Sequence, residues 1–217
     1  MKKKYYITTP IYYPSAKPHM GHAYSSISAD FIARYKRLEG YDVTFVTGTD
    51  EHGQKIQKSA DKRKLSPDIF CNEISKVFLD LTKTLNLSNT DFIRTTEIRH
   101  HKTVQKLLKI LEEKKFIYLS KSSGWYSVSD EAFYTESEIV EKDNIKLSAV
   151  SGSAVEWVEE ESYFFKLSEF QNLLIKHYED NPEFIQPSSR RNEVMSFVKG
   201  GLNDLSVSRN SFKWGIS

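Results

Sequence analysis

The 217-residue chain has a single cysteine, Cys71. That excludes an intramolecular disulfide and any zinc site built from paired thiolates, and it fits a reducing compartment. No apolar run reaches the ~18 residues that a membrane span needs. Met1-Lys2-Lys3-Lys4 leads straight into strand-like sequence, without the apolar stretch and small-residue cleavage site of a secretory leader. These absences set the expectation of a cytoplasmic protein with no membrane partner. Nor does one sign of charge dominate: the net charge is +2, so the strongly basic footprint that would demand a nucleic acid is missing, although none is excluded. The length suits one large domain or one and a half.

What is present is concentrated near the start. Tyr5-Tyr6-Ile7-Thr8-Thr9-Pro10-Ile11-Tyr12-Tyr13-Pro14-Ser15-Ala16-Lys17-Pro18-His19-Met20-Gly21-His22 reads as a strand, a proline-punctuated loop and a helix opening on two histidines. Free amides and the macrodipole at a helix N-terminus favour negative charge, so the corner suggests a polyphosphate site. A histidine-containing turn is the plainer alternative.

The pattern then alternates. Ile27, Phe31, Tyr35 and Leu38 recur at helical spacing, and Gly40 stands where a C-terminal cap belongs. A β-branched strand at 43–47 and the loop Gly48-Thr49-Asp50-Glu51-His52-Gly53 follow, with helix resuming near Gln54. This predicts a βαβ unit with parallel strands. Ser66-Pro67 opens a helix striped by Phe70, Ile74, Val77, Phe78, Leu81 and Leu85, with Cys71 beside the stripe as a small buried residue. A short strand at 91–95 precedes a helix over 97–115, whose His100 and His101 are assigned to the surface with no role.

From Phe116 the texture changes to short aromatic pieces at 116–119, 124–128 and 132–134, which predict antiparallel hairpins. Residues 141–153 read as loop. The carboxylates of 156–161 read as a solvated face, not a metal site. A strand at 162–167, helices at 168–180 and 188–199, and a last strand at 206–208 complete the chain.

Two stretches together resemble a known family. His19-Met20-Gly21-His22 is similar to the His-Ile-Gly-His signature of class I aminoacyl-tRNA synthetases and related nucleotidylyltransferases; alone, it places the superfamily and not the substrate. Thr8-Thr9-Pro10-Ile11-Tyr12-Tyr13 and Thr47-Gly48-Thr49-Asp50-Glu51-His52-Gly53 resemble bacterial methionyl-tRNA synthetases. The likeness continues in order through Gly124-Trp125-Tyr126, Ser162-Tyr163-Phe164-Phe165, Arg191-Asn192-Glu193-Val194 and Asp204-Leu205-Ser206-Val207-Ser208-Arg209.

The resemblance implies an α/β, Rossmann-like catalytic domain. Its first half would occupy 1–115, a connective-peptide insertion of hairpins and helices 116–200, and a return toward the second half 201–217. Within the insertion a knuckle at about 120–157 has serine and aspartate where many members have cysteine pairs, so no structural zinc is expected. The family's Lys-Met-Ser-Lys-Ser signature does not occur, and neither does a helical anticodon-binding domain. These 217 residues are therefore expected to be an N-terminal portion, inactive alone.

The implied reaction activates L-methionine with ATP and Mg2+ and transfers it to the terminal adenosine of tRNA(Met). Matching positions give His19 and His22 as catalytic; His19, Gly21, His22 and His52 as ATP-binding; and Pro10, Ile11, Tyr13, Asp50 and Arg209 as methionine-binding, with no resident metal. The residue chemistry agrees. Gly21 admits close backbone approach, the imidazoles donate to phosphate oxygens, and Asp50, at the end of a parallel strand, suits the α-ammonium. Plainer readings stand beside these: an Asx turn at Asp50, a helix cap at His22 or His52, a salt bridge at Arg209. Other functions left open are another class I synthetase or nucleotidylyltransferase, and a non-catalytic nucleotide- or RNA-binding fragment.

Overall fold

The computed structural model describes residues 2–130, 132–142, 145–210 and 213–217, with Ser122 by its backbone alone. They form two compact units: Met1–Gln105 with Val128–Glu131 and Phe212–Ser217, and Lys106–Ser127 with Ala132–Ser211. Among the described residues no helix is long and apolar enough to cross a membrane.

The first unit is the expected α/β layer. Strands β1 (Lys4–Thr8), β2 (Asp42–Thr49) and β3 (Asp91–Arg94) pair in parallel in the order β1-β2-β3, in the register Tyr5↔Val43 and Val46↔Asp91. Helices α1 (Met20–Leu38), α2 (Gln54–Lys62) and α3 (Pro67–Thr84) connect them, and α4 (Ile98–Glu113) follows. Gly40, at φ 86°, takes the left-handed turn after α1. At Gly48 a Cβ would stand 1.9 Å from the Ile93 carbonyl oxygen, so only glycine lets β2 and β3 close at their C-terminal ends.

Helix α1 buries a different face from the one its large residues mark. Ser26, Ala29, Asp30 and Ala33 are buried, whereas Phe31 is 71% and Leu38 87% exposed. Small side chains let the helix lie close on Val43 and Phe45. Periodicity identifies a face but does not say which face meets the sheet. Asp30 tolerates burial because its carboxylate accepts from the Ser88 amide and hydroxyl and from Arg34. In α3, Phe70, Cys71, Ser75 and Phe78 are buried while Val77 is exposed.

The second unit holds a sheet of order β5-β4-β8-β9 and a separate hairpin. Its strands are β4 (Ile117–Ser127), β5 (Ala132–Tyr134), β6 (Ile139–Lys142), β7 (Ile145–Ser148), β8 (Glu156–Phe165) and β9 (Leu205–Ser206); its helices are α5 (Gln171–Asp180) and α6 (Ser188–Lys199). Three expectations are corrected here. The aromatic pieces at 116–119 and 124–128 are one strand, because β8 pairs with it from Ile117↔Phe165 to Tyr126↔Glu156 and carries the backbone through the polar Ser120-Lys121-Ser122-Ser123. Residues 141–153 are not simply loop: β6 pairs with β7, since charged neighbours diluted a real alternation at Ile139, Ile145 and Leu147; 143 and 144 lie outside the described residues. Among the carboxylates of 156–161, Glu156, Glu159 and Glu161 are exposed as expected, but the Glu160 side chain is only 7% exposed and accepts from the Asn210 amide.

Candidate active site

The first unit gathers its polar side chains at the C-terminal ends of β1 and β2, where open parallel sheets bind ligands. His19 is the N-cap of α1. Its Nδ1 accepts from the Gly21 amide (3.1 Å), and the His22 Nδ1 accepts from the His19 amide (3.0 Å), a reciprocal capping box built from two imidazoles. With both Nδ1 atoms engaged as acceptors, the proton of each neutral ring sits on Nε2.

This arrangement changes the expected anion corner. The Gly21 amide is spent on His19, and the His22 amide donates to the His19 carbonyl. Those two amides are therefore engaged within the turn, and the donors that the two side chains can offer are the imidazole Nε2–H groups. Gly21 has a local reason as well: a Cβ there would meet the His19 Cε1 at 2.9 Å. The two rings lie 3.9 Å apart, and His22 is wedged against Tyr12 and Phe78. Burial, then the neighbouring His19, hold His22 below the usual imidazole range, so it is neutral at pH 7.

His19 and His22 line an open cavity of about 320 Å³ with Tyr13, Lys17, Lys55, Ser129 and Asp130. Ser129 and Asp130 lie in a sequence-distant hairpin stretch, and nothing in their local pattern marks them.

Parallel pairing extends beyond β1: the Tyr12 amide donates to Gly48, and the Asp50 amide donates to the Tyr12 carbonyl (2.9 Å). That places the half-buried Asp50 beside the segment carrying Pro10, Ile11 and Tyr13. Pro10 and Ile11 are exposed, and the Tyr13 hydroxyl donates to the His52 carbonyl. His52 does not cap α2, whose N-cap is Gly53. Burial and His101 push His52 below the usual imidazole range despite the pull of Glu51. His100 and His101, expected at the surface, are half-buried. Arg209 belongs to the second unit, where it donates to the Ser206 hydroxyl and the Ser208 carbonyl.

Sequence reasoning passed over Glu51. It is fully buried, and its carboxylate accepts from Arg94 through Nε (2.7 Å) and Nη2 (2.9 Å), from Thr49 (2.6 Å) and from Thr96 (2.5 Å). Burial alone pushes its carboxyl upward; the hydrogen bonds from Arg94, Thr49 and Thr96 and the guanidinium charge outweigh it and leave it below the usual carboxylate range. Cys71, buried and donating toward the Glu51 carbonyl, is pushed up to about 12 by desolvation and by Glu51 and is inert as a nucleophile.

The family described as tRNA synthetases class I (M) matches residues 5–144 and 142–217. The methionine–tRNA ligase of Rickettsia typhi is 55% identical over 216 residues, 100% of this chain and 42% of that protein. That of Listeria monocytogenes is 52% identical over 222 residues, 99% of this chain and 33% of that protein. The Mycobacterium tuberculosis methionyl-tRNA synthetase in complex with methionyl-adenylate is 49% identical with a TM-score of 0.95, over 99% of this chain and 42% of that one. The apo form of that synthetase gives a TM-score of 0.80 at 47% identity, over 100% of this chain and 41% of that one. The chain thus spans about a third to two fifths of these proteins.

Proposed function

The chain belongs to the class I tRNA synthetases of the methionine group, and we propose that it forms the N-terminal part of a methionine–tRNA ligase. The observation that carries this reading is the reciprocal His19–His22 cap, which leaves two Nε2–H donors on the wall of a cavity flanked by Lys17 and Lys55.

In the first step a carboxylate oxygen of L-methionine attacks the α-phosphorus of ATP, and pyrophosphate leaves. In the second, a ribose hydroxyl of the terminal adenosine of tRNA(Met) attacks the activated carbonyl carbon, and AMP leaves. ATP enters as its Mg2+ complex, which is substrate. His19 and His22 donate to phosphate oxygens as charge develops, and their pre-formed geometry needs no rearrangement during reaction. His52 faces the nucleotide, and Asp50 holds the α-ammonium beside Pro10, Ile11 and Tyr13. Arg209 joins the methionine set through the family resemblance. The insertion needs no structural zinc in this reading: Trp125 is held instead by Glu136 and Lys146.

Methionine-dependent ATP–pyrophosphate exchange, measured in the ligase carrying these residues, tests the proposal. His22→Ala should slow exchange by about 10²–10³-fold, the usual cost of losing one such donor. Exchange driven by leucine or valine but not by methionine would overturn the assignment.

A further inference from the structure

We propose that the buried Glu51–Arg94 pair is a positioning element for methionine, fixing the loop that presents Asp50 and His52. This rests on the reading of Asp50 as the partner of the α-ammonium.

The observations converge on residue 51. Its carboxylate is bound by groups from β2 (Thr49), from the end of β3 (Arg94) and from the turn beyond it (Thr96). Its backbone is held on both sides as well: the amide donates to the Thr95 hydroxyl (2.8 Å), and the carbonyl accepts from the Trp214 indole (2.5 Å). The two peptide planes flanking Glu51 are those that carry Asp50 and His52. Fixing Glu51 in backbone and side chain therefore fixes where the neighbouring carboxylate and imidazole emerge. The Asp50 amide donating to the Tyr12 carbonyl adds a tether that leads to the Pro10–Tyr13 segment. Arg94 also balances the charge of the buried Glu51 carboxylate. Displacement of a reacting group by about 1 Å costs on the order of 10²-fold in rate, so a network of this kind sets efficiency without touching substrate.

The test is a double-mutant cycle in the full-length ligase, read as the KM for methionine in ATP–pyrophosphate exchange on variants whose thermal unfolding shows them folded. Asp50→Asn and Glu51→Gln should each raise that KM, the second by about 10–100-fold. Combined, they should raise it scarcely further than the larger single change, because Glu51 acts through Asp50. Multiplication of the two effects, or an unchanged KM in folded Glu51→Gln, would make the pair a staple between strands and overturn the proposal. An unchanged KM in Asp50→Asn would instead sink the reading of Asp50, and the proposal with it. Should Glu51→Gln not fold, Thr96→Val removes one hydrogen bond without stranding a charge. It should give the same non-additive pattern with a smaller rise, and additivity there would equally overturn the proposal.

Discussion

The two units solve the burial problem in opposite ways. The parallel unit covers its strands with helices and carries polar groups inside: Asp30, Thr47, Thr49, Glu51 and Ser75 are all buried, and each finds a partner or an environment fixed by neighbouring elements. The antiparallel unit buries few apolar residues, among them Val155, Met195, Val198 and Leu202. It relies on half-exposed aromatic rings facing each other across strands, as in Trp125–Trp157 and Tyr118–Phe164. Buried polar networks are costly to disturb because a lone partner stays desolvated, whereas cross-strand ring pairs fail gradually. The candidate site draws its order from the first kind of architecture.

The sharpest way to break this contrast is Arg94→Ala. It leaves Glu51 buried and unpaired, which costs about 3 kcal/mol; this is the low end for a broken buried pair, since the Arg94 side chain is 26% exposed. Two indole N–H signals separate the units, because Trp214 donates to Glu51 while Trp125 donates to Glu136. Loss of hydrogen-exchange protection at Trp214, with Trp125 unmoved, is the expected result; equal loss at both would mean that the units share one cooperative network. The contribution of the pair is also pH-dependent. The folded carboxyl lies below its ordinary value, so the stabilisation is full above about pH 4.3 and is lost as pH falls through the folded value.

Much of the parallel unit was legible because its signals are local. The Gly40 turn, the β-branched run of β2 and the Ser66-Pro67 helix start act within a few residues, and they fell where expected. The two histidines were legible as a pair, but not their mutual capping, which depends on side-chain rotation at His19. Glu51 was invisible because its partner stands 43 residues away in sequence. The buried face of α1 was not legible for a related reason: which side meets a sheet is decided by Val43 and Phe45, not by the helix itself. In the antiparallel unit the aromatic pieces were seen, but strand length was not, since pairing with a distant strand carries the backbone through polar residues that locally resemble a turn.

A second, smaller effect follows from the histidines of the parallel unit. His22 and His52 are both held below the usual imidazole range, mainly by burial. A lowered folded value means that protons bind the unfolded chain first. Stability is therefore full above about pH 6.5 and declines as pH falls through the folded values, with a slope bounded by about 1.4 kcal/mol per pH unit for each histidine. Denaturant unfolding between pH 5 and 8, followed at Trp214, should show this decline, and His22→Gln should flatten it. Asp204 and Glu138 of the antiparallel unit, held below the ordinary carboxylate range by their hydrogen bonds, act only at lower pH. A decline that His22→Gln leaves untouched would assign it to His52.

The smallest effect probes the antiparallel unit on its own terms. The Lys146 Nζ lies 4.1 Å from the centroid of the Trp125 ring, which also packs edge-on against Trp157 and donates its indole hydrogen to Glu136. Lys146→Met keeps the aliphatic stem and removes the charge. The cost should be about 0.5–1 kcal/mol, the worth of an exposed cation–π contact. It should appear as faster hydrogen exchange at the Trp125 indole and no change at Trp214. High salt should barely reproduce it, because the ring quadrupole acts at contact distance, whereas an ordinary surface ion pair would be screened. If Trp125 protection is unchanged in Lys146→Met, the aromatic ladder alone holds this hairpin, and the contrast between the units rests on ring packing without any help from charge.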